Sequence, residues 1–141
     1  MAQNDFGATQ TRFRPVVKDY RAYPRIMTNR RAQVVVPGGE TANVTIHDIS
    51  PDGVQIRCGP AAARLIHPSG RSIRREDPAV VIRLALTLPL RRRPTPIGFQ
   101  GQLLYFALIN TDLVSMGLKF GALSCTANRV LEAFISESLE C

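Results

Sequence analysis

Two groups of side chains in this 141-residue chain have the types and spacing to do chemistry. Arg21 and Arg25 stand four apart with Pro24 between them. Pro24 pushes Tyr23 toward extended geometry, so the pair is read with period two rather than as a helical turn, and both guanidinium groups can face one side, roughly 13 Å apart at the backbone. Each is a planar fork of donors able to hold a phosphate at two points. The second group is Asp48-Ile49-Ser50-Pro51-Asp52-Gly53. Asp48 and Ser50 point the same way if the chain is still extended there, Pro51 presets φ for a tight turn, and Gly53 is free to take φ > 0. The plain readings are that Asp48 and Ser50 only stiffen a turn through bonds to nearby backbone N–H groups, and that the arginines belong to a solvated arm.

The flanks of that turn set the architecture. Val44 and Ile46 alternate with polar residues before it, and Val54, Ile56 and Cys58 do so after it, which predicts two half-buried strands, about Asn43 to Ile49 and Val54 to Cys58. Ile49 falls on the opposite parity from Ile46, which a bulge near His47 and Asp48 would explain. Upstream, Arg31 to Val36 reads as a strand joined to the next by a turn at Pro37-Gly38-Gly39. Residues 1 to about 11 have too few apolar groups to offset ordering entropy and read as a mobile arm, with arm character extending to residue 17 and a single domain from 18 to 141. From 12 to 31 the chain is basic, with Phe13, Tyr20 and Tyr23 interleaved. Downstream, Pro60 opens a short helix over 61–66 and a charged loop runs to about 79, with no function assigned to it. Val81 to Leu88 is a strand with Ile82, Leu84, Leu86 and Leu88 on one face. Arg91-Arg92-Arg93 lies in a connecting loop bracketed by Pro89, Pro94 and Pro96, most simply a solvated hairpin tip. Ile97 to Ala107 is a strand whose apolar face is Ile97, Phe99, Leu103 and Tyr105, with a bend near Gly101. After a turn at Asn110-Thr111-Asp112, Met116, Leu118 and Phe120 mark a last strand. Ser124 or Thr126 then caps a helix with an apolar stripe of Val130, Leu131, Phe134, Ile135 and Leu139. The sum is mainly β: a six-stranded antiparallel barrel with a C-terminal α-helix and a mobile basic N-terminal arm.

Composition bounds the function. The formal charge of +7 and pI near 10.2 call for an anionic partner or a basic surface, and the charge is concentrated in residues 12–31, 71–75 and 91–93. The three cysteines, Cys58, Cys125 and Cys141, form no close pair and no metal-ligand spacing. Cys58 reads as a small core residue. There is no long apolar run and no signal-like N-terminus, so a cytoplasmic protein is expected. No nucleophile elbow, His-Glu-x-x-His or phosphate loop is present, and two histidines are few for acid/base work, which argues against an enzyme.

Arg21-Ala22-Tyr23-Pro24-Arg25, followed one hairpin later by Asp48-Ile49-Ser50-Pro51-Asp52-Gly53, resembles the PilZ domain family, which is marked by Arg-x-x-x-Arg and Asp/Asn-x-Ser-x-x-Gly motifs in that order. The resemblance extends over about residues 18 to 140, through Met116-Gly117-Leu118-Lys119-Phe120 and the closing helix; the stretch 59–79 departs from it. It implies a receptor for the bacterial second messenger cyclic di-GMP, with Arg21, Arg25, Asp48, Ser50 and Gly53 as ligand-binding residues. It implies no catalytic residue, metal or cofactor, and a downstream protein partner not yet identified. On that reading the arginines take phosphate or a guanine edge, Asp48 accepts the N1–H and N2–H of guanine, Ser50 adds a hydroxyl bond and Gly53 lets backbone approach the ligand. Binding would order residues 12 to 25 against the barrel and relay the signal. Two alternatives stand beside it. One is a small basic barrel binding RNA or single-stranded DNA, against which the few, scattered aromatics count; the other is a PilZ-like adaptor that binds no ligand.

Overall fold

The computed structural model describes residues 25–139; the expected arm, Arg21, Tyr20 and Tyr23 lie outside them. Six antiparallel strands form a closed barrel in the order β1-β2-β3-β6-β5-β4, with β1 Ile26–Val35, β2 Thr41–Ser50, β3 Gly53–Cys58, β4 Val81–Leu90, β5 Arg93–Asn110 and β6 Leu113–Phe120. Pairing of β4 with β1 closes it, so that Ala32 faces Leu86 and Val34 faces Leu84. Alternation in each strand sends one set of side chains inward. Val34, Ile46, Ile49, Ile56, Leu88 and Met116 are fully enclosed. Phe99 and Phe120 meet edge-on at 4.6 Å between ring centres. Cys58 is a core residue, and burial pushes its thiol up to about 11.

Two helices pack on the outside. α1, Pro60–Ile66, starts with a proline where no N–H bond is needed, buries Ala63 and Ile66, and lies against β2 and β6. α2, Cys125–Leu139, is capped by Ser124, whose Oγ accepts the N–H of Ala127 at 3.0 Å. It buries Ala127, Leu131, Phe134 and Ile135 against β4 and β5. Leu139, expected on that stripe, is exposed at the last turn.

Two further expectations change, and a third is sharpened. β1 begins at Ile26, five residues earlier than its alternation suggested, because the pairing slips between Met27 and Arg30, where Asn29 takes φ +48°. Asparagine tolerates that left-handed geometry better than most residues, and the irregularity hides the strand's beginning from a period-two reading. The hairpin tip expected at 91–93 is present and is tighter than three residues: Leu90 pairs with Arg93, and Arg91 and Arg92 both have positive φ. Pro89 and Pro94 face each other within the strands, at positions where the ladder asks for no N–H. Glu137 on α2 accepts the Arg91 N–H at 2.9 Å, holding the helix end to that hairpin. Finally, Tyr105 leaves the inward face. The β5–β6 register shifts between Leu103 and Tyr105, so Phe106 packs against the core and Tyr105 turns outward.

Candidate functional site

β2 and β3 are joined by the two-residue turn Pro51-Asp52, with Ser50 facing Gly53 and Ile49 facing Val54. Ile49 and Val54 point into the core, so their neighbours Asp48, Ser50, Gly53 and Gln55 belong to the outer face of the barrel. The expected bulge is where the parity break put it: Ile46 pairs with Ile56, Asp48 with Gln55, and His47 is left over. Without that extra residue Asp48 would fall on the core side. Thr28 secures the other flank by donating its hydroxyl to the Ile46 carbonyl at 2.7 Å.

Although it lies on the outer face, Asp48 is only 5% exposed, between Met27 of β1 and Gln55 of β3. A carboxylate that far from water needs a partner. Arg25 supplies it from just ahead of β1, donating Nη1–H to Asp48 Oδ1 at 2.8 Å. The ladder that aligns Ile26 with Ile49 and Met27 with Asp48 is what carries Arg25 to this position, 23 residues away in sequence. The structure thus joins one arginine of the first motif to the aspartate of the second.

Ser50, 1% exposed, turns its hydroxyl into the hairpin turn, where it donates to the Asp52 carboxylate and has the Gly53 carbonyl 3.3 Å away. Its partners are acceptors, not the backbone N–H groups expected of a turn-stiffening serine. Gly53 also differs from expectation. Its φ is not positive, and what comes close to it is the barrel's own backbone: a Cβ there would stand 2.1 Å from the Leu118 carbonyl oxygen. The cause is the β3–β6 pairing, which sets Gly53 opposite Lys119 and lets the Phe120 N–H donate to the Asp52 carbonyl at 3.0 Å. Gly53 is needed for strand approach, and the turn is made by Pro51 and Asp52.

Other polar groups on this face were not singled out in the sequence. Gln55 donates Nε2–H to Ser115 Oγ at 2.8 Å, and Ser115 is buried. Asp48, Ser50 and Ser115 are the buried polar side chains among the described residues, and all three lie on the outer face around β2, β3 and β6. Ser115 could have been found from its place between Val114 and Met116, where a small polar residue interrupts a buried run. His67 stays a loop residue: its Nε2 lies 2.8 Å from the Arg71 carbonyl oxygen, and its ring rests 5.2 Å from that of Phe106. Among the described residues no group of three or more histidines, cysteines or carboxylates could hold a metal, and no helix is long and apolar enough to cross a membrane.

No protein-family model matches the chain, and neither does any curated protein sequence. Solved structures do match. The Bacillus subtilis inhibitor of motility MotI/DgrA superposes with a TM-score of 0.62 at 16% identity, over 86% of this chain and 53% of that one. The K. pneumonia MrkH–c-di-GMP complex gives 0.63 at 13% identity, over 88% and 54%. The PilZ domain of Escherichia coli YcgR with c-di-GMP gives 0.54 at 17% identity, over 86% and 93%. The chain therefore spans about half the length of the first two and nearly all of the isolated PilZ domain. At these identities the likeness establishes the fold: the chain has a PilZ-like barrel.

Proposed function

We propose that this PilZ-like domain is a receptor for cyclic di-GMP, held on the outer face of the barrel by Arg25 and Asp48 together with Arg21. The observation that carries the reading is the Arg25–Asp48 pair: a guanidinium fork and a nearly buried carboxylate, brought from two distant motifs to one spot outside the core. These are the groups a guanine nucleotide needs. The fork takes a phosphate or the O6/N7 edge of guanine, and the carboxylate accepts N1–H and N2–H, which adenine cannot offer in that pattern. Neighbours of the same fold that were solved with c-di-GMP support the same ligand. Ser50 and Gly53 enter as the residues that hold the turn and the strand spacing under Asp48. The relay runs through the N-terminal segment, which carries both arginines: a ligand gripped by them draws residues 12–25 toward the barrel and alters the surface offered to a downstream protein.

Calorimetric titration with cyclic di-GMP, with cyclic di-AMP and GTP as controls, tests the ligand. Low-micromolar or tighter, guanine-selective binding is expected. Arg25→Lys keeps a positive charge beside Asp48 and loses the planar fork, so it should weaken binding by about 1.5–3 kcal/mol, the worth of a charge-assisted hydrogen bond. Absence of heat, confirmed by an optical assay, or binding indifferent to the base, would refute the proposal.

A further inference from the structure

We infer that Tyr105 is a stacking platform for the second base of the dinucleotide, set on the same outward row of the barrel as Asp48. The inference rests on the cyclic di-GMP reading and adds to it a residue outside both motifs. The row follows from the register: Asp48 pairs with Gln55, Gln55 with Gly117, and Gly117 with Tyr105. Neighbouring strands are about 4.8 Å apart, so the Tyr105 backbone stands roughly 14 Å from that of Asp48 across β3 and β6. The side chain closes part of that gap. A Cβ on Gly117 would meet Tyr105 Cε2 at 2.1 Å and Cδ2 at 2.5 Å, so the ring lies over the Gly117 backbone, back toward Gln55 and Asp48. Gly117 leaves room for the ring, and any larger residue would lift it.

The ring is also in the right condition to receive a base. With one side set against Gly117, Tyr105 remains 41% exposed, whereas Phe99 with Phe120 and His67 with Phe106 are engaged with each other as ring pairs. Both ends of the row owe their outward direction to a bulge: one between Ile46 and Asp48 in β2, the other between Leu103 and Tyr105 in β5. Bulges are the means by which a sheet re-aims single side chains next to a site, and here two of them turn a carboxylate and an aromatic ring onto one surface. The Gln55–Ser115 bond lies between them as a fixed polar floor. A ligand with one guanine at Asp48 and a second base farther along the row would meet the open side of Tyr105, where stacking accepts any base.

The test compares cyclic di-GMP binding by the full chain with that of Tyr105→Leu and Tyr105→Phe, read by calorimetry and by the proton resonance of guanine H8. Leucine keeps apolar bulk over Gly117 and lacks a π-face; phenylalanine keeps the face. The expected result is a loss of roughly tenfold or more in Tyr105→Leu, recovered in Tyr105→Phe, with one H8 resonance moved upfield by the ring in the wild type and Tyr105→Phe but not in Tyr105→Leu. If the wild type binds and Tyr105→Leu binds as tightly, the platform is wrong while the receptor reading stands. If the wild type does not bind, both fall together.

Discussion

Arg25 and Asp48 depend on each other before any ligand arrives. Asp48 is nearly buried, and the hydration lost there is offset by the Arg25 guanidinium, whose Nη1 lies 2.8 Å from Oδ1. Removing only the arginine leaves that charge buried with less compensation. Arg25→Ala should therefore lower folding stability by about 1–3 kcal/mol in urea unfolding, and adding Asp48→Asn should restore part of the loss, because no uncompensated charge then remains. Simple additivity of the two losses would mean that the pair contributes nothing. The same coupling makes Arg25→Lys the cleaner binding variant, since it changes the fork without stranding the carboxylate. On the proposed reading it also presets the site: the guanidinium is held against Asp48 by an existing bond, which reduces what a ligand must order.

At the scale of the element, Gly53 shows how a motif residue can be recognised for one reason and needed for another. Its place after Pro51-Asp52 suggested a backbone angle reserved for glycine, and resemblance suggested closeness to a ligand; the structure puts the Leu118 carbonyl oxygen where its Cβ would be. Gly53→Ala should accordingly push β3 and β6 apart and cost about 1–3 kcal/mol, the usual penalty of overpacking, seen as a lower urea midpoint at unchanged slope. An unaffected midpoint would return Gly53 to the role of a ligand contact. Such strand-to-strand contacts are not legible in one sequence, since nothing local in Asp52-Gly53-Val54 names Leu118 as the neighbour. Local alternation was legible. It located the face of β4 from Ile82 to Leu88, the two strands around the turn, and even the bulge at His47, because Ile49 broke parity. It failed where a bulge left no such trace. Asn29 hides the first residues of β1, and alternation alone reads Tyr105 as inward although the doublet Leu103-Leu104 before it already marks the change of phase. Of the site, the two motifs could be read, while the Gln55–Ser115 bond and the Gly117–Tyr105 contact depend on β6, sixty residues downstream of β3.

On the scale of the whole molecule, the barrel interior is occupied by its own side chains, from Val34 and Ile46 to Leu88 and Met116. The proposed ligand recognition therefore belongs to the outside, where Asp48, Ser50 and Ser115 are the buried polar side chains among the described residues. The chain carries a formal charge of +7, and its arginines favour an anionic ligand at long range without choosing which one. On the proposed reading, choice comes from the acceptor at Asp48, while the ring at Tyr105 adds affinity without choosing a base. Hydrogen exchange of the full chain, with and without saturating cyclic di-GMP, reads the site and the relay in one experiment. Slower exchange in residues 12–25 and in 48–55 is the result expected from a ligand clasped between the N-terminal arginines and Asp48. Unchanged exchange at saturation, or protection confined to the basic stretches 71–75 and 91–93, would contradict the account.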